Sequence, residues 1–233
     1  MNHLGNSSQT ESYIDSIWTH LQMNYCHSSL GSKVLVERLP GIKHYSGMNL
    51  KTNRASLISM FTNTVNDLNG ADLMLYFGFL GAGFASGGGV AWGGVVCKNG
   101  INKYKQSING YGSSHSAMGE LLAHEVGHNL GMLHDFDPPH GGNGNSGSGG
   151  SCDFEGFMSY GNHKSQWSEC SVKDFTEQYT KNKNNWCLPG TYNIHTINIF
   201  YGTLINLQTN NPSCLILGLS LFFHSSLNFD HKA

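Results

Sequence analysis

The segment His124 to Asp135 reads HEVGHNLGMLHD, and it carries the residue types from which a metal centre can be built. Residues four apart on a helix share a face, so His124 and His128 can aim two imidazoles at one ion. Glu125 sits beside them, free to serve a water at that ion without binding it. Gly131 can take a positive φ, stop the helix and turn the chain. The turn would let His134 supply a third nitrogen. Three nitrogen ligands leave the fourth tetrahedral position for water, the arrangement of a catalytic Zn2+ site. The chemistry expected is hydrolysis: zinc lowers the pKa of its water and polarises a carbonyl, and Glu125 moves the proton as general base.

Those side chains need a helix under them and a scaffold under the helix. Ser116 to Leu130 reads as that helix. Tyr13 to Tyr25 places Ile14, Ile17, Trp18 and Leu21 on one helical stripe. Lys33 to Leu39 alternates as a strand, and Ala71 to Phe79 reads as a buried one. Asn53 can cap a helix from Arg54 to about Leu68. Val90 to Val96, after a Gly-rich turn, reads as a strand near a sheet edge. Ser171 is expected to cap a last helix, with Asp174 three residues on. The order of helices and strands predicts an α/β sheet. After Pro189 the pattern is lost, so a domain over 1–190 and a tail over 191–233 are expected.

Composition narrows the function. The chain has 233 residues, a net charge of -2 and 12% charged residues. That suits one large domain and gives no basic surface for nucleic acid or an anionic membrane. No run reaches the roughly 18 apolar residues a membrane span needs. The six cysteines are widely spaced and none forms C-x-x-C, which points to disulfides in an oxidising compartment. The first residues, MNHLGNSSQTESY, have neither the basic start nor the apolar core of a signal peptide. The two readings agree if the chain is the downstream part of a longer secreted precursor.

The extended motif resembles that of the metzincin clan of zinc endopeptidases. Asp135, directly after the third histidine, resembles the adamalysin (reprolysin, ADAM-like) branch. Gly156-Phe157-Met158-Ser159-Tyr160 resembles the clan's Met-turn, with Met158 as the floor of the pocket. Trp167 to Ser171 followed by Asp174-Phe175, and Asn185 to Leu188, are similar to the branch's closing segments. The resemblance runs from about Tyr13 to Leu188. It implies a zincin fold: a twisted, mostly parallel sheet with an antiparallel edge strand, a long active-site helix, and a small irregular C-terminal lobe. It also implies a secreted monomer that cleaves proteins or peptides lying along the edge strand, with disulfides Cys97–Cys187 and Cys152–Cys170. Cys26 and Cys214 receive no assignment.

The match departs from the branch in three ways. The family's strand before the first helix has no counterpart in the mostly polar residues ahead of Tyr13, which predicts a sheet one strand short. No cysteine-rich module follows Leu188. Asp72 matches one calcium ligand of the family, but Gly190 stands where an Asn is needed, so a calcium site is not expected. The truncated sheet motivates a second reading, a weak or inactive protease-like binding protein. Tyr160, two residues after Met158, is either a tyrosine packed beside the pocket or a phenol that reaches the zinc or the reaction intermediate.

Overall fold

The computed structural model describes residues 7–31, 34–39, 59, 62, 68, 71–78, 88–96, 98, 101, 104–110, 112–140, 152, 156–160, 165–182 and 195–200. The helix expected at 54–68 falls outside them apart from isolated positions. Cys97, Cys187, Gly190 and Cys214 also lie outside.

Helix α1 spans Ser7–Tyr25. Its stripe of Tyr13, Ile14, Ile17, Trp18, Leu21 and Tyr25 is buried, as a 3.6-residue period requires of a helix lying on a core. A 3-10 turn, Ser28–Leu30, closes on Gly31 at φ 68°. Helix α2, His115–Asn129, lies against α1. The two approach closely because Gly119 has no side chain: a Cβ there would overlap His20. Tyr25 adds a hydroxyl donated to the Ala123 carbonyl at 3.0 Å. Helix α3 is Glu169–Asn182.

Strands β1 (Val34–Leu39), β2 (Leu73–Gly78), β3 (Gly89–Ala91), β4 (Gln106–Gly110) and β5 (His195–Phe200) form one sheet. Their order is β1-β5-β2-β4-β3. Every pairing is parallel except β3 on β4, where Gly89, Val90 and Ala91 face Asn109, Ile108 and Ser107. Leu73 to Tyr76 are buried in succession, as expected of a strand covered on both faces. The fold is therefore mixed α/β with a small, mostly parallel sheet.

Several expectations need correction. Val90 to Val96 is not one strand. β3 ends at Ala91, and Gly94, at φ 59°, turns the chain away from the sheet. Gly94 N–H then donates to the His128 carbonyl at 2.7 Å, and Val95 N–H to that of Asn129 at 2.9 Å. The free carbonyls at the end of α2 thus claim the segment.

Ser171 does not cap the last helix. Ser168 does, its Oγ accepting from Ser171 N–H at 3.0 Å. The sheet also does not end before residue 190. β5 lies between β1 and β2, with Val34 to Leu39 in register with His195 to Phe200.

β4 has no apolar period to reveal it. Its sequence is QSING, yet all five residues are buried. Two of its side-chain amides donate internally: Gln106 to Thr62 Oγ1 at 3.1 Å, and Asn109 to the Tyr76 carbonyl at 3.1 Å and to Ser107 Oγ at 3.0 Å.

Candidate metal centre

α2 begins at Ser114, whose Oγ accepts from Ala117 N–H, and ends in a glycine turn. Gly131 stands at φ 99°. Its N–H donates to the His128 carbonyl, and Met132 N–H to that of Gly127, both at 2.9 Å. These are the two bonds of a Schellman stop, which needs a residue at ease with positive φ. The turn reverses the chain, so that the imidazole of His134 comes back to those of His124 and His128.

The three rings meet edge to edge. His128 Nε2 lies 3.1 Å from His124 Nε2 and 3.1 Å from His134 Nε2. The other nitrogen of each ring is engaged outward. His124 Nδ1 donates to the Phe157 carbonyl at 2.7 Å, and His128 Nδ1 to the Met132 carbonyl at 2.9 Å. His134 Nδ1 pairs with Asp137 Oδ2 at 2.9 Å. A carbonyl can only accept, so the proton of each of the first two rings sits on Nδ1. The Nε2 lone pairs are left pointing at one another.

Burial, with His134 as neighbour, pushes the pKa of His128 down from 6.5 to about 4, which keeps the ring neutral. Zinc–nitrogen bonds of about 2.1 Å in tetrahedral array separate neighbouring nitrogens by roughly 3.4 Å. The spacing and the outward Nδ1 partners therefore suit a soft-to-borderline cation such as zinc.

Glu125 is 3% exposed, on the same helix, with its carboxylate against β3. Gly89 makes room for it: a Cβ at that position would overlap the carboxylate. Met158 is fully buried, and its sulfur lies 2.7 Å from where Gly127 would carry a Cβ. Met158 can come this close to the helix only because residue 127 is glycine. Tyr160 is 47% exposed, with its hydroxyl 2.9 Å from His134 Nε2. Phe136 stacks on His134 with ring centres 4.7 Å apart.

Asp135 is fully buried and ties three segments together. Oδ2 accepts from Gly156 N–H at 3.1 Å and Ser159 Oγ at 2.9 Å. Oδ1 accepts from the hydroxyls of Ser168 and, at 3.3 Å, Ser171. Its own N–H donates to the Met158 carbonyl at 3.2 Å. Burial raises its pKa, opposed by the bonds from Ser168, Ser159, Ser171 and Gly156. Cys152 and Cys170 form a disulfide that fastens the loop to α3. Cys26 is also disulfide-bonded, to a cysteine outside the described residues.

Asp137 and Gly89 were given no site role from the sequence, and Ser168 stood only as part of the segment Trp167 to Ser171. Only Asp137 had a readable signal, a carboxylate three residues after His134. The other two depend on which strand and which turn come to lie beside the motif.

A mixed α/β sheet with three histidines converging at the end of a helix defines an α/β domain with a candidate metal centre. The family model described as metallo-peptidase family M12B, Reprolysin-like, matches residues 11–135, more than half of the chain, and the protein belongs to that family. No curated protein matches the chain.

Proposed function

We propose that the protein is a zinc-dependent endopeptidase with His124, His128 and His134 as the metal ligands and Glu125 as the general base. The observation that carries this is the convergence of three Nε2 atoms whose partner nitrogens are all occupied by outward hydrogen bonds. Zinc, when bound, supplies Lewis acidity toward the scissile carbonyl and makes water a better nucleophile at neutral pH. Glu125 takes the proton of the attacking water and delivers it to the leaving amine, which asks of it a carboxylate held beside the metal but not on it. Met158 serves as the floor of the pocket, Asp135 holds that floor to the ligand loop, and Tyr160 lines the same centre.

The substrate is a protein segment in extended conformation. β3 is the last strand of the described sheet on its side, and Glu125 lies directly against it. An added strand there binds through main-chain hydrogen bonds and so tolerates many sequences. The Cys152–Cys170 disulfide supports an extracellular setting. No described helix is long and apolar enough to cross a membrane. The domain is proposed to act as a monomer and to include β5.

The test is cleavage of an unfolded protein substrate by the purified chain. Activity is expected to vanish with a chelator and return with zinc. Glu125→Ala is expected to keep one zinc per chain and lose at least about 100-fold in kcat. A folded protein that takes up no zinc, or a Glu125→Ala variant of undiminished rate, would remove the reading.

A further inference from the structure

The third histidine is held differently from the other two. His124 and His128 ride on α2, whose own hydrogen bonds fix their backbone. His134 follows the helix stop, in a stretch without regular structure. Two side chains grip this stretch, His140 buried and Asp174 half-buried. Asp174, on α3, accepts from Leu133 N–H through Oδ2 at 2.8 Å. Its other oxygen lies 3.0 Å from His140 Nε2, and His140 Nδ1 lies 2.8 Å from the His134 carbonyl. The contacts close a ring that runs from Asp174 to Leu133, along the chain to His134, to His140 and back to Asp174. His140 is 4% exposed, and its ring is bounded by the Asp174 carboxyl group and the His134 carbonyl.

We infer that the His140–Asp174 pair is a positioning device for His134, coupling the third ligand to α3. The inference rests on the reading of His134 as a zinc ligand. Neither residue touches the centre itself. Their effect passes through the backbone of residues 133 and 134, whose setting decides where the imidazole of His134 falls. Asp137 orients the same ring from its far nitrogen, which leaves the backbone position as the remaining freedom. Zinc affinity is sensitive to such settings: outer partners of ligand residues are commonly worth 10- to 100-fold.

The experiment measures zinc affinity by competition with a chromogenic chelator, and the visible spectrum of the cobalt-substituted protein, on samples shown to be folded by near-UV circular dichroism. His140→Ala and Asp174→Ala are each expected to weaken zinc by about 10- to 100-fold and to alter the cobalt spectrum. The double variant should be little worse than either, because one break opens the ring. Asp174→Asn should stay within about threefold of wild type, since its amide oxygen still accepts from Leu133 and its NH2 can donate to His140 Nε2. If the alanine variants do not fold, His140→Gln, which cannot span both acceptors, is expected to weaken zinc likewise.

Wild-type zinc affinity in folded His140→Ala and Asp174→Ala, or in His140→Gln, would overturn the inference. So would an Asp174→Asn variant as weak as Asp174→Ala. A wild-type protein that takes up no zinc overturns the metallopeptidase reading and this one with it. Zinc bound equally by wild type and variants overturns this one alone.

Discussion

At the residue scale the centre depends on what is missing as much as on what is present. Gly89 and Gly127 are both places where a single methyl group would meet a neighbouring side chain: the Glu125 carboxylate in one case, the Met158 sulfur in the other. Gly89→Ala is therefore expected to move Glu125 while leaving the three histidines in place. Misplacing a reacting group by an ångström costs on the order of 100-fold in rate. The expected outcome is a large fall in kcat with zinc content unchanged, read by metal analysis beside a peptide-cleavage assay.

His128 makes a second prediction. Its folded pKa of about 4 lies below the unfolded value of 6.5. Between those pH values the unfolded chain takes up a proton that the folded chain refuses. Its contribution to stability is thus fully present above pH 6.5 and is lost as the pH falls toward about 4. Urea midpoints of the metal-free protein should decline through that window, and His128→Gln should flatten the decline.

At the element scale, what could be read in advance was what repeats or what a short motif dictates. The i, i+4 pair on α2 and the glycine stop follow from helix geometry, so the helix and its turn were visible in the string. The stripe on α1 was visible for the same reason. β4 was not, because QSING buries polar side chains whose partners, Thr62 and Tyr76, come from elsewhere in the chain. Ser168 and Ser171 are close in sequence and both polar. Only the fold decides that the first caps α3 and both turn their hydroxyls to Asp135.

The Asp135 carboxylate joins the loop that carries His134, the turn from Gly156 to Ser159 and the start of α3. Asp135→Ala would leave the Gly156 N–H and the hydroxyls of Ser159 and Ser168 without their acceptor in a dry interior. The cost is expected to be about 3 kcal/mol. It should appear as a lower thermal midpoint and, because the same loop carries His134, as weaker zinc retention. An unchanged midpoint would deny the tie.

At the scale of the whole molecule, the sheet is completed by a strand that the composition of the tail did not announce. β5 sits inside the sheet, so its backbone must serve neighbours on both sides. Proline placed at Ile197 and, separately, at Asn198 tests this. Adjacent N–H groups in a strand point to opposite sides, so one of the two substitutions removes a bond to β1. That variant is expected to lose at least about 2 kcal/mol, measured by denaturant unfolding. Two variants as stable as the parent would show that β5 does not hold the sheet together.

The partnership of β1 with β5 also bears on how the molecule comes to exist. Val34 must wait for His195, and the stretch between them includes the histidine-bearing helix. During synthesis the early strand leaves the ribosome long before its neighbour has been made. Pairings so distant along the chain are slow to form. The newborn polypeptide therefore carries an open sheet while most of its length is translated, and a chaperone able to shield the edge of β1 would be of most use in that interval.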